Sequence, residues 1–405
     1  MRMFKKSPTK RSFFSPFIFA SLFSLIFTSF LLPTARATTV FNFEGNGLGH
    51  GVGLSQIGAK AMALEGKSAE DILKYYYTGV SVEPMADWFD VRVNIGTKLT
   101  NVSIKLSSDV GAIWINGIQI NDKQTVANFR YTSEGITTTV VRNKSVIASL
   151  PAQSEIIIEW TGTRFLEGPA AIISINTGKW SRYQFGRVNL VAVGKGIEVT
   201  NTVRLKDEYL YGVSEVSSSW PIESLRAQAI AARTYAISKA GNYRRSCDCD
   251  LFGNTKDQLF VGLSKIAEPR FGVLWKAAVD ETSVDERNGL AITYEGEPIN
   301  AFYSSSSGGI TESSLDAFGT AFDYLVPVAD PVSLDPKANP NYASWKRSVD
   351  GLIVAKAFGL LDVSNLEIIG KRIYATSLNG TKVSLRLETF RSRAGLPSSF
   401  FRVVS

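Results

Sequence analysis

The chain has 405 residues but only one histidine and two cysteines, and this scarcity excludes several kinds of site. Because His50 is the sole imidazole, a histidine-rich metal site is excluded and a Ser-His-Asp triad would depend on this residue alone. Two cysteines are too few for a disulfide-rich scaffold. The spacing of Cys247 and Cys249 leaves a disulfide, a pair of metal ligands or no bond as alternatives, and we expect no metal.

Acidic residues are absent from residues 1–37, which contain six lysine and arginine residues. This basic start, the apolar run from Phe17 to Leu32 and the small residues that end at Ala37 predict a secretory signal peptide over residues 1–37. An uncleaved membrane anchor is the alternative. Cleavage would lower the formal net charge from +7 to +1. We therefore expect a secreted, extracellular protein that has no nucleic-acid partner and no stable membrane insertion after cleavage.

Glycine recurs at every second position from Gly45 to Gly53, around His50. This pattern predicts a tight loop whose backbone can closely approach another group. Two short helices are expected after the loop, with Gly66 between them, and together they make a first unit over residues 38–87. From the residues alone, His50 is either a loop histidine bonded to the backbone or part of a site.

Residues 88–200 contain short runs rich in valine, isoleucine, threonine and aromatic residues, such as DVRVNI, NVSIKL, ITTTVV and EIIIEW. Polar clusters and glycines separate these runs, so the pattern predicts a β-rich region of many short strands. No spacing typical of catalysis occurs there. We interpret the region as a scaffold, with a surface that could rest against a polymer.

A short apolar run ends at Glu215 and is followed by the longest helical pattern in the chain. Pro221 is expected at the first helical position, where its missing N–H is harmless, and Gly241 is expected to end the helix. Arg226 and Arg233, seven residues apart, should share one helix face beside the apolar face. From the residues alone, Glu215 is either a site carboxylate or a group that caps or pairs near the helix start.

The remaining chain predicts further short elements. A second helix is expected in EPRFGVLWKAAVDETS, strands in GLAITYEG and PINAFYSS, another helix in VDGLIVAKAFGLL, and a hairpin with Asn379 and Gly380 at its turn. The serine and glycine run from Ser304 to Thr311 is either a flexible turn or a polar lining of a site at the end of a strand. A serine nucleophile there would need His50 as its base.

Several separate motifs resemble the SpoIID/LytB family of sporulation lytic transglycosylases and amidase-modifier proteins. They are DEYLYGVSEVSSSWPIESLRAQAIAARTYA, DQLFVG, ITYEGEPINAFYSSSSGGITE, FDYLVPV, RSRAGLPSSFFRV and GHGVGLSQIGAKAMALEGKSAEDILKYYYTGV. In the typical member the glycine-histidine motif closes the domain, whereas here it opens it, so the sequence looks circularly permuted. This order predicts that Val404 and Gly45 lie near each other, and that residues 38–87 are integrated with a catalytic core over residues 201–405.

The resemblance implies an α+β fold in which a mixed β-rich scaffold accompanies a central catalytic helix, a permuted glycine-histidine loop and two short helices. It implies peptidoglycan glycan strands as the substrate, association with the cell wall, and Glu215 as the single general acid and base. It implies no cofactor, and Lys256 and Asp257 stand where some members carry zinc ligands, so no zinc is expected. The substrate-binding residues that it implies are Arg226, Gln228, Arg233, Ser305, Ser306, Thr311, Tyr324, His50, Ser55 and Gln56.

Two other functions are compatible with parts of this pattern. The LytB branch suggests a non-catalytic wall-binding protein that enhances an N-acetylmuramoyl-L-alanine amidase, which would then be a partner. A surface adhesin or scaffold would explain residues 88–200 but not the motifs. The presence of Glu215 favours the enzyme.

Overall fold

The computed structural model describes residues 39–404. The predicted signal peptide at residues 1–37 lies outside the described residues. The first part of the described chain contains two short helices between strands, as predicted. Its elements are β1 (Val40–Gly45), β2 (Leu54–Ser55), α1 (Gln56–Leu64), α2 (Ala69–Tyr76) and β3 (Ser81–Ala86).

The β-rich region is confirmed, and every one of its labelled elements is a strand. They are β4 (Asp90–Leu99), β5 (Asn101–Leu106), β6 (Ile113–Ile115), β7 (Ile118–Ile120), β8 (Thr125–Thr132), β9 (Gly135–Arg142), β10 (Ser145–Gln153), β11 (Glu155–Trp160), β12 (Ile173–Asn176), β13 (Trp180–Tyr183), β14 (Arg187–Val193) and β15 (Gly196–Arg204).

A π-helical turn at Leu205–Tyr209 and a 3₁₀ turn at Leu210–Gly212 lead to the central helix. From there the elements are α3 (Ile222–Lys239), β16 (Leu251–Phe252), α4 (Gly272–Glu281), β17 (Asn288–Tyr294), β18 (Glu297–Pro298), β19 (Tyr303–Ser304) and α5 (Ser314–Phe318). The last elements are β20 (Trp345–Asp350), α6 (Gly351–Phe358), β21 (Asn365–Ile369), β22 (Arg372–Thr376), β23 (Lys382–Arg386), α7 (Leu387–Ala394) and β24 (Phe401–Val404).

Two large sheets carry the scaffold. The six-stranded sheet has the order β10-β9-β8-β5-β12-β13, and the seven-stranded sheet has the order β16-β4-β15-β14-β11-β6-β7. Each sheet buries one face in the main hydrophobic core, to which α1, α2, α3 and α4 also contribute. The scaffold and the central helix therefore share one core, and the architecture is α+β.

The central helix is buried on more sides than its pattern predicts. Residues on most of its circumference between Ser224 and Ala236 are buried, because α1 and α2 pack on it from one side and α4 and β17 from another. Pro221 does not occupy the first helical position. Its ψ of 141° is extended, and its carbonyl accepts the first helical bonds, from Ser224 and Leu225, so it is the residue before the helix.

Two predicted strand regions differ from expectation. The strand expected in PINAFYSS exists only at its two ends, because the Asn300 N–H bonds to the Tyr324 hydroxyl instead of a neighbouring strand. The predicted hairpin is a three-stranded sheet of β21, β22 and β23. The turn at Asn379 and Gly380 is present, and the added strand joins through a second turn at Gly370, whose φ is +57°.

A second core lies under β1, β20, β24, α6 and α7, and Phe43, Phe358 and Phe390 pack within it. In this region β1 pairs antiparallel with β24, so that Gly45 faces Phe401 and Asn42 faces Val404. The predicted proximity of these two segments is therefore observed, while the circular permutation itself stays a prediction.

Candidate functional site

Glu215 lies in the short segment between the 3₁₀ turn and α3, beside residues 259–261. The Ser214 N–H donates to the Leu259 carbonyl at 2.8 Å, and the Val261 N–H donates to the Gly212 carbonyl at 2.8 Å. These bonds set the two segments side by side. As a result the Leu259 N–H donates to a Glu215 carboxylate oxygen at 2.5 Å.

Gly212 makes this close approach possible. A Cβ atom at Gly212 would lie 2.3 Å from the ring of Phe260, closer than any real side chain. The same Phe260 ring stacks on Tyr209, with centroids 5.5 Å apart. The glycine and the aromatic pair therefore hold the 259–261 segment against Glu215.

A chain of buried hydrogen bonds ends at Glu215. The Tyr209 hydroxyl donates to the Gln258 Oε1 at 2.7 Å, and the Gln258 Nε2 donates to the Tyr303 hydroxyl oxygen at 2.8 Å. An amide has one donor end and one acceptor end, so this arrangement leaves the Tyr303 proton free to bond elsewhere. The Tyr303 hydroxyl bonds to the Glu215 carboxylate. We call Tyr209, Gln258 and Tyr303 the tyrosine-glutamine relay.

The surroundings of Glu215 favour its protonated form more than water would, because they raise the pKa of its carboxyl. Burial raises the pKa of the Glu215 carboxyl, against the lowering effects of the Leu259 N–H, the Tyr303 hydroxyl and the charge of Lys265. Lys265 is itself buried, and its Nζ donates to the Val216 carbonyl at 2.6 Å. The site thus combines desolvation with donors for the carboxylate, a combination suited to a group that gives and recovers a proton.

The glycine-histidine loop packs on the strand that carries Tyr303. β2 pairs in parallel with β19, which places Tyr303 opposite Leu54. Gly53 has a φ of +72°, and a Cβ there would lie 2.1 Å from the Phe302 carbonyl oxygen. The close backbone approach expected from the glycines is therefore observed.

His50 belongs to the same corner of the fold. Its Nδ1 accepts a bond from the Val52 N–H at 3.0 Å, and its ring packs edge-on against Phe302 and Phe318. Burial, followed by the charge of Arg391, lowers the pKa of His50 to about 4. The rings of Phe302 and Phe318 are its aromatic neighbours, and contact of His50 with a substrate stays a prediction.

The serine loop after β19 is organised around a buried carboxylate. Asp330 accepts bonds from the Tyr76 hydroxyl at 2.9 Å and the Ser307 hydroxyl at 2.6 Å, and it also bonds the Ser333 hydroxyl. Ser55 caps α1 and lies within 3.4 Å of Ser333. These contacts join the serine loop to α1 and α2.

The other predicted polar residues of this region also bond to protein groups. The Ser306 hydroxyl accepts from Asn339 at 3.2 Å, the Thr311 hydroxyl accepts from the Val328 N–H at 2.7 Å, and the Tyr324 hydroxyl accepts from the Asn300 N–H at 3.1 Å. All three predicted residues are buried, while Ser305 is partly exposed. They shape the loop, and their contact with a substrate stays a prediction.

Gln56 and Gln228 form a buried pair between α1 and α3. The Gln56 Nε2 donates to the Gln228 Oε1 at 3.1 Å. The Gln228 Nε2 has no hydrogen-bond partner among the described residues. The structure thus brings these two predicted residues together, at a contact that ties the glycine-histidine unit to the central helix.

The two helix arginines lie in different environments. Arg233 is fully buried, and its guanidinium bonds Asp87 at 2.9 Å, Thr282 at 3.1 Å and the Leu290 carbonyl at 3.0 Å. Arg233 therefore has no access to solvent in this structure, because Asp87, Thr282 and β17 enclose its guanidinium, and its contact with a substrate stays a prediction. Arg226 is partly exposed and bonds Glu223 and Glu281.

Cys247 and Cys249 form a disulfide. Arg244 bonds to the Cys249 carbonyl through its N–H at 2.8 Å, and its guanidinium bonds Asp257 at 2.8 Å. Asp257, which directly precedes Gln258 in the chain, in turn accepts a hydrogen bond from the Tyr235 hydroxyl. The disulfide loop therefore supports the segment that carries the relay and the Leu259 N–H.

In residues 39–404, no group of three or more histidine, cysteine, aspartate or glutamate side chains is arranged to hold a metal ion. Two open cavities, of about 600 and about 640 Å³, lie away from Glu215. The first lies beside β1 and β24, and the second lies beside α1 and α2. None of the described helices is long and apolar enough to cross a membrane.

The sequence predicted Glu215 as a site carboxylate but did not predict the groups that surround it. Gln258 and Leu259 occur in the DQLFVG motif, and Tyr303 directly precedes the serine run, so their motifs were the available signal. Lys265 carried no signal, because it reaches the site from a turn between β16 and α4.

Comparison with known proteins matches the centre of the chain to a family. Residues 193–294 match the family model described as SpoIID, Stage II sporulation protein. The chain is 61% identical over 209 residues to Stage II sporulation protein D of Bacillus subtilis, which covers 48% of this chain and 59% of that protein. No solved structure matches the chain.

Two further relatives are more distant. The chain is 31% identical over 137 residues to the amidase enhancer of Bacillus subtilis, covering 34% of this chain and 17% of that protein. It is 32% identical over 143 residues to an uncharacterized protein of Brachyspira hyodysenteriae, covering 35% of this chain and 36% of that protein. The chain therefore spans between 17% and 59% of the length of these three relatives.

Proposed function

Because the chain belongs to the SpoIID/LytB family, we propose that it is an exported peptidoglycan lytic transglycosylase in which Glu215 is the single general acid and base. The bond cleaved joins N-acetylmuramic acid to N-acetylglucosamine in the glycan strand. The observation that carries the proposal is the environment of Glu215. Its carboxyl is desolvated enough to raise its pKa, yet it bonds the Leu259 N–H and the Tyr303 hydroxyl.

In the first step the protonated Glu215 donates its proton to the glycosidic oxygen. The bond from that oxygen to C1 of the muramic residue breaks, and the N-acetylglucosamine leaves as an alcohol. The raised pKa keeps a larger fraction of the carboxyl protonated near neutral pH. Such a shift is what a general acid needs at this pH.

In the second step the Glu215 carboxylate accepts the proton of the C6 hydroxyl of the muramic residue. The C6 oxygen bonds to C1, which closes a 1,6-anhydro ring and regenerates the protonated acid. The Leu259 N–H and the Tyr303 hydroxyl stabilise the carboxylate between the two steps. One carboxyl suffices because no water attacks, unlike hydrolysis by two carboxylates.

The remaining machinery in this proposal binds the strand. Arg226 is the helix arginine with solvent access, and it would attract carboxylates of the substrate. Ser305 and the edge of the His50 loop would contact sugar groups from the other side. The buried residues Ser55, Gln56, Gln228, Ser306, Thr311 and Tyr324 would act by holding these loops in place.

The test is digestion of purified peptidoglycan by the wild type and by Glu215→Gln, with release of soluble fragments measured. The amide keeps the shape of Glu215 but can neither give nor recover a proton. We expect release by the wild type and a loss of at least about a hundredfold in the variant. Equal release by both proteins would contradict the assignment.

The relative named amidase enhancer supports a second candidate, a non-catalytic wall-binding protein that enhances an N-acetylmuramoyl-L-alanine amidase. In that case Glu215 would serve only glycan binding. The same Glu215→Gln variant separates the two functions when it is mixed with such an amidase. Unchanged stimulation of the amidase, together with no glycan cleavage by the wild type, would favour the enhancer.

A further inference from the structure

The outer face of the six-stranded sheet carries a continuous line of hydrogen-bonding side chains. Strand register pairs one residue of each strand with the next, straight across the sheet. We call these residues the polar row, and in spatial order they are Trp180, Asn176, Ser103, Asn128, Thr139 and Ser149.

All members of the polar row have access to solvent. Their chain neighbours on the opposite face, such as Val102, Ile104, Phe129 and Val140, are buried in the main core. The Ser103 hydroxyl donates to the Asn128 side chain at 2.8 Å. Because neighbouring strands are about 4.8 Å apart, the polar row is roughly 24 Å long. It is therefore long enough to meet an extended oligosaccharide.

The polar row contains no charge, although exposed positions of a sheet usually carry some. Five of its members offer hydroxyl or amide groups, which donate and accept hydrogen bonds. These groups match the hydroxyl and acetamido groups of a glycan made of N-acetylated sugars. They match neither an apolar protein surface nor a membrane.

Trp180 ends the polar row with an exposed aromatic ring. The side chain is 45% exposed, and the Lys105 Nζ lies 4.8 Å from the ring centroid. The lysine contacts one face of the ring, and the other face is available for stacking against the flat face of a sugar. An exposed, held tryptophan beside hydrogen-bonding groups is a suitable end to a glycan-binding surface.

The rows on either side add complementary charge. Arg182 and Lys105 lie in the row on one side, and Arg130 lies in the row on the other. No acidic residue occupies the paired positions of these two rows. Cations beside a neutral centre fit a sugar chain whose lactyl and peptide carboxylates project to the sides.

We propose that the polar row is a second binding surface, which holds a peptidoglycan glycan strand away from Glu215. The proposed function supplies only the identity of the polymer. The surface would keep the protein on an insoluble wall while the site at Glu215 engages and leaves individual bonds. The gain comes from effective concentration, because a protein held by one contact meets the next bond on the same strand.

The test measures binding without cleavage. Full-length Glu215→Gln protein is sedimented with insoluble peptidoglycan from which teichoic acid has been removed. On this background Trp180→Ala removes the stacking ring, and Thr139→Glu places a longer, negatively charged side chain in the polar row, next to its Ser149 end. We expect either change to weaken binding about tenfold.

The matched control is Trp114→Ala, on the seven-stranded sheet. Trp114 is 37% exposed, and therefore similar to Trp180 in type and exposure. Its loss should leave binding unchanged. Thermal unfolding of every variant shows whether it is folded, and Thr139→Glu still tests the surface if Trp180→Ala does not fold.

Two results would overturn the proposal. One is binding of Trp180→Ala and Thr139→Glu as tight as that of Trp114→Ala. The other is binding that needs teichoic acid and disappears with added salt, since this would show an anionic polymer held by charge alone. Neither result bears on catalysis, because cleavage by the protein with Glu215 intact is measured separately. Failure of the polar row and failure of the proposed function are thus distinguishable.

Discussion

The backbone N–H of Leu259 donates a 2.5 Å hydrogen bond to the carboxylate of Glu215. This contact joins two segments that are separated by 44 positions in the chain, and it exists because Gly212 lets Phe260 approach. The carboxylate therefore has a fixed donor in a desolvated setting. The account of function depends on this pairing.

Removal of the Tyr303 hydroxyl should shift the pH dependence of cleavage. The hydroxyl stabilises the carboxylate and so lowers the pKa of Glu215, which means that Tyr303→Phe raises this pKa further. The first step needs the protonated acid, so the alkaline limb of the kcat/KM profile should move to higher pH. Tyr131→Phe is the matched control, because its hydroxyl bonds the distant Gly194 carbonyl. An unmoved limb in Tyr303→Phe would show that the hydroxyl does not act on Glu215.

Loss of Arg233 should lower the free energy of unfolding of the protein without a specific effect on substrate binding. Arg233→Met would leave the buried Asp87 without its nearest partner, and such a broken buried pair costs about 3–5 kcal/mol. Urea unfolding measures this free energy. We expect KM to stay unchanged in the protein that remains folded. A raised KM with an unchanged free energy of unfolding would instead show that Arg233 binds the substrate.

His50 should make stability fall in mild acid. Burial lowers the pKa of His50 from its ordinary value of 6.5 to about 4 in the folded protein, so the folded state resists protonation. The stabilising contribution is full above pH 6.5 and is lost as pH falls toward about 4, by at most about 3 kcal/mol.

The measurement is urea unfolding at several pH values between 7 and 4. His50→Gln should flatten the curve over this window relative to the wild type. The comparison is clean because the chain has no other histidine. Parallel curves for the two proteins would mean that His50 titrates normally in the folded state.

The disulfide should resist reagents until the protein unfolds. Cys247 and Cys249 are both buried, so neither reductant nor an alkylating agent has access in the native state. Replacement of both by alanine should cost roughly 1–2 kcal/mol, since the closed loop is short. Mass spectrometry after alkylation, with and without urea, checks the first point. Rapid reduction in native buffer would contradict it.

The sequence predicts local elements well where short-range chemistry decides them. The glycines of residues 45–53 predicted a close backbone approach, and the structure has it at Gly53 against Phe302. The turn at Gly380 and the two helices around Gly66 were equally local. In each case a glycine with a positive φ or a helix cap determines the conformation of only the few residues beside it.

The tyrosine-glutamine relay and the burial of Arg233 could not be predicted in this way. Gln258 and Tyr303 meet Glu215 only through tertiary packing, and neither has a periodic pattern that marks its partner. The helix period placed Arg226 and Arg233 on one face, but it cannot tell how far a neighbouring strand covers that face. Asp87, Thr282 and β17 enclose Arg233, whereas Arg226 keeps access to solvent.

Digestion of peptidoglycan in water enriched in ¹⁸O tests the central claim most directly. If Glu215 transfers the proton of the C6 hydroxyl, the products are 1,6-anhydromuramic ends that contain no oxygen from water. Mass spectrometry should then show anhydro products without ¹⁸O from the wild type, and none from Glu215→Gln. Reducing ends that each carry one ¹⁸O atom would show hydrolysis and contradict the single-carboxyl mechanism.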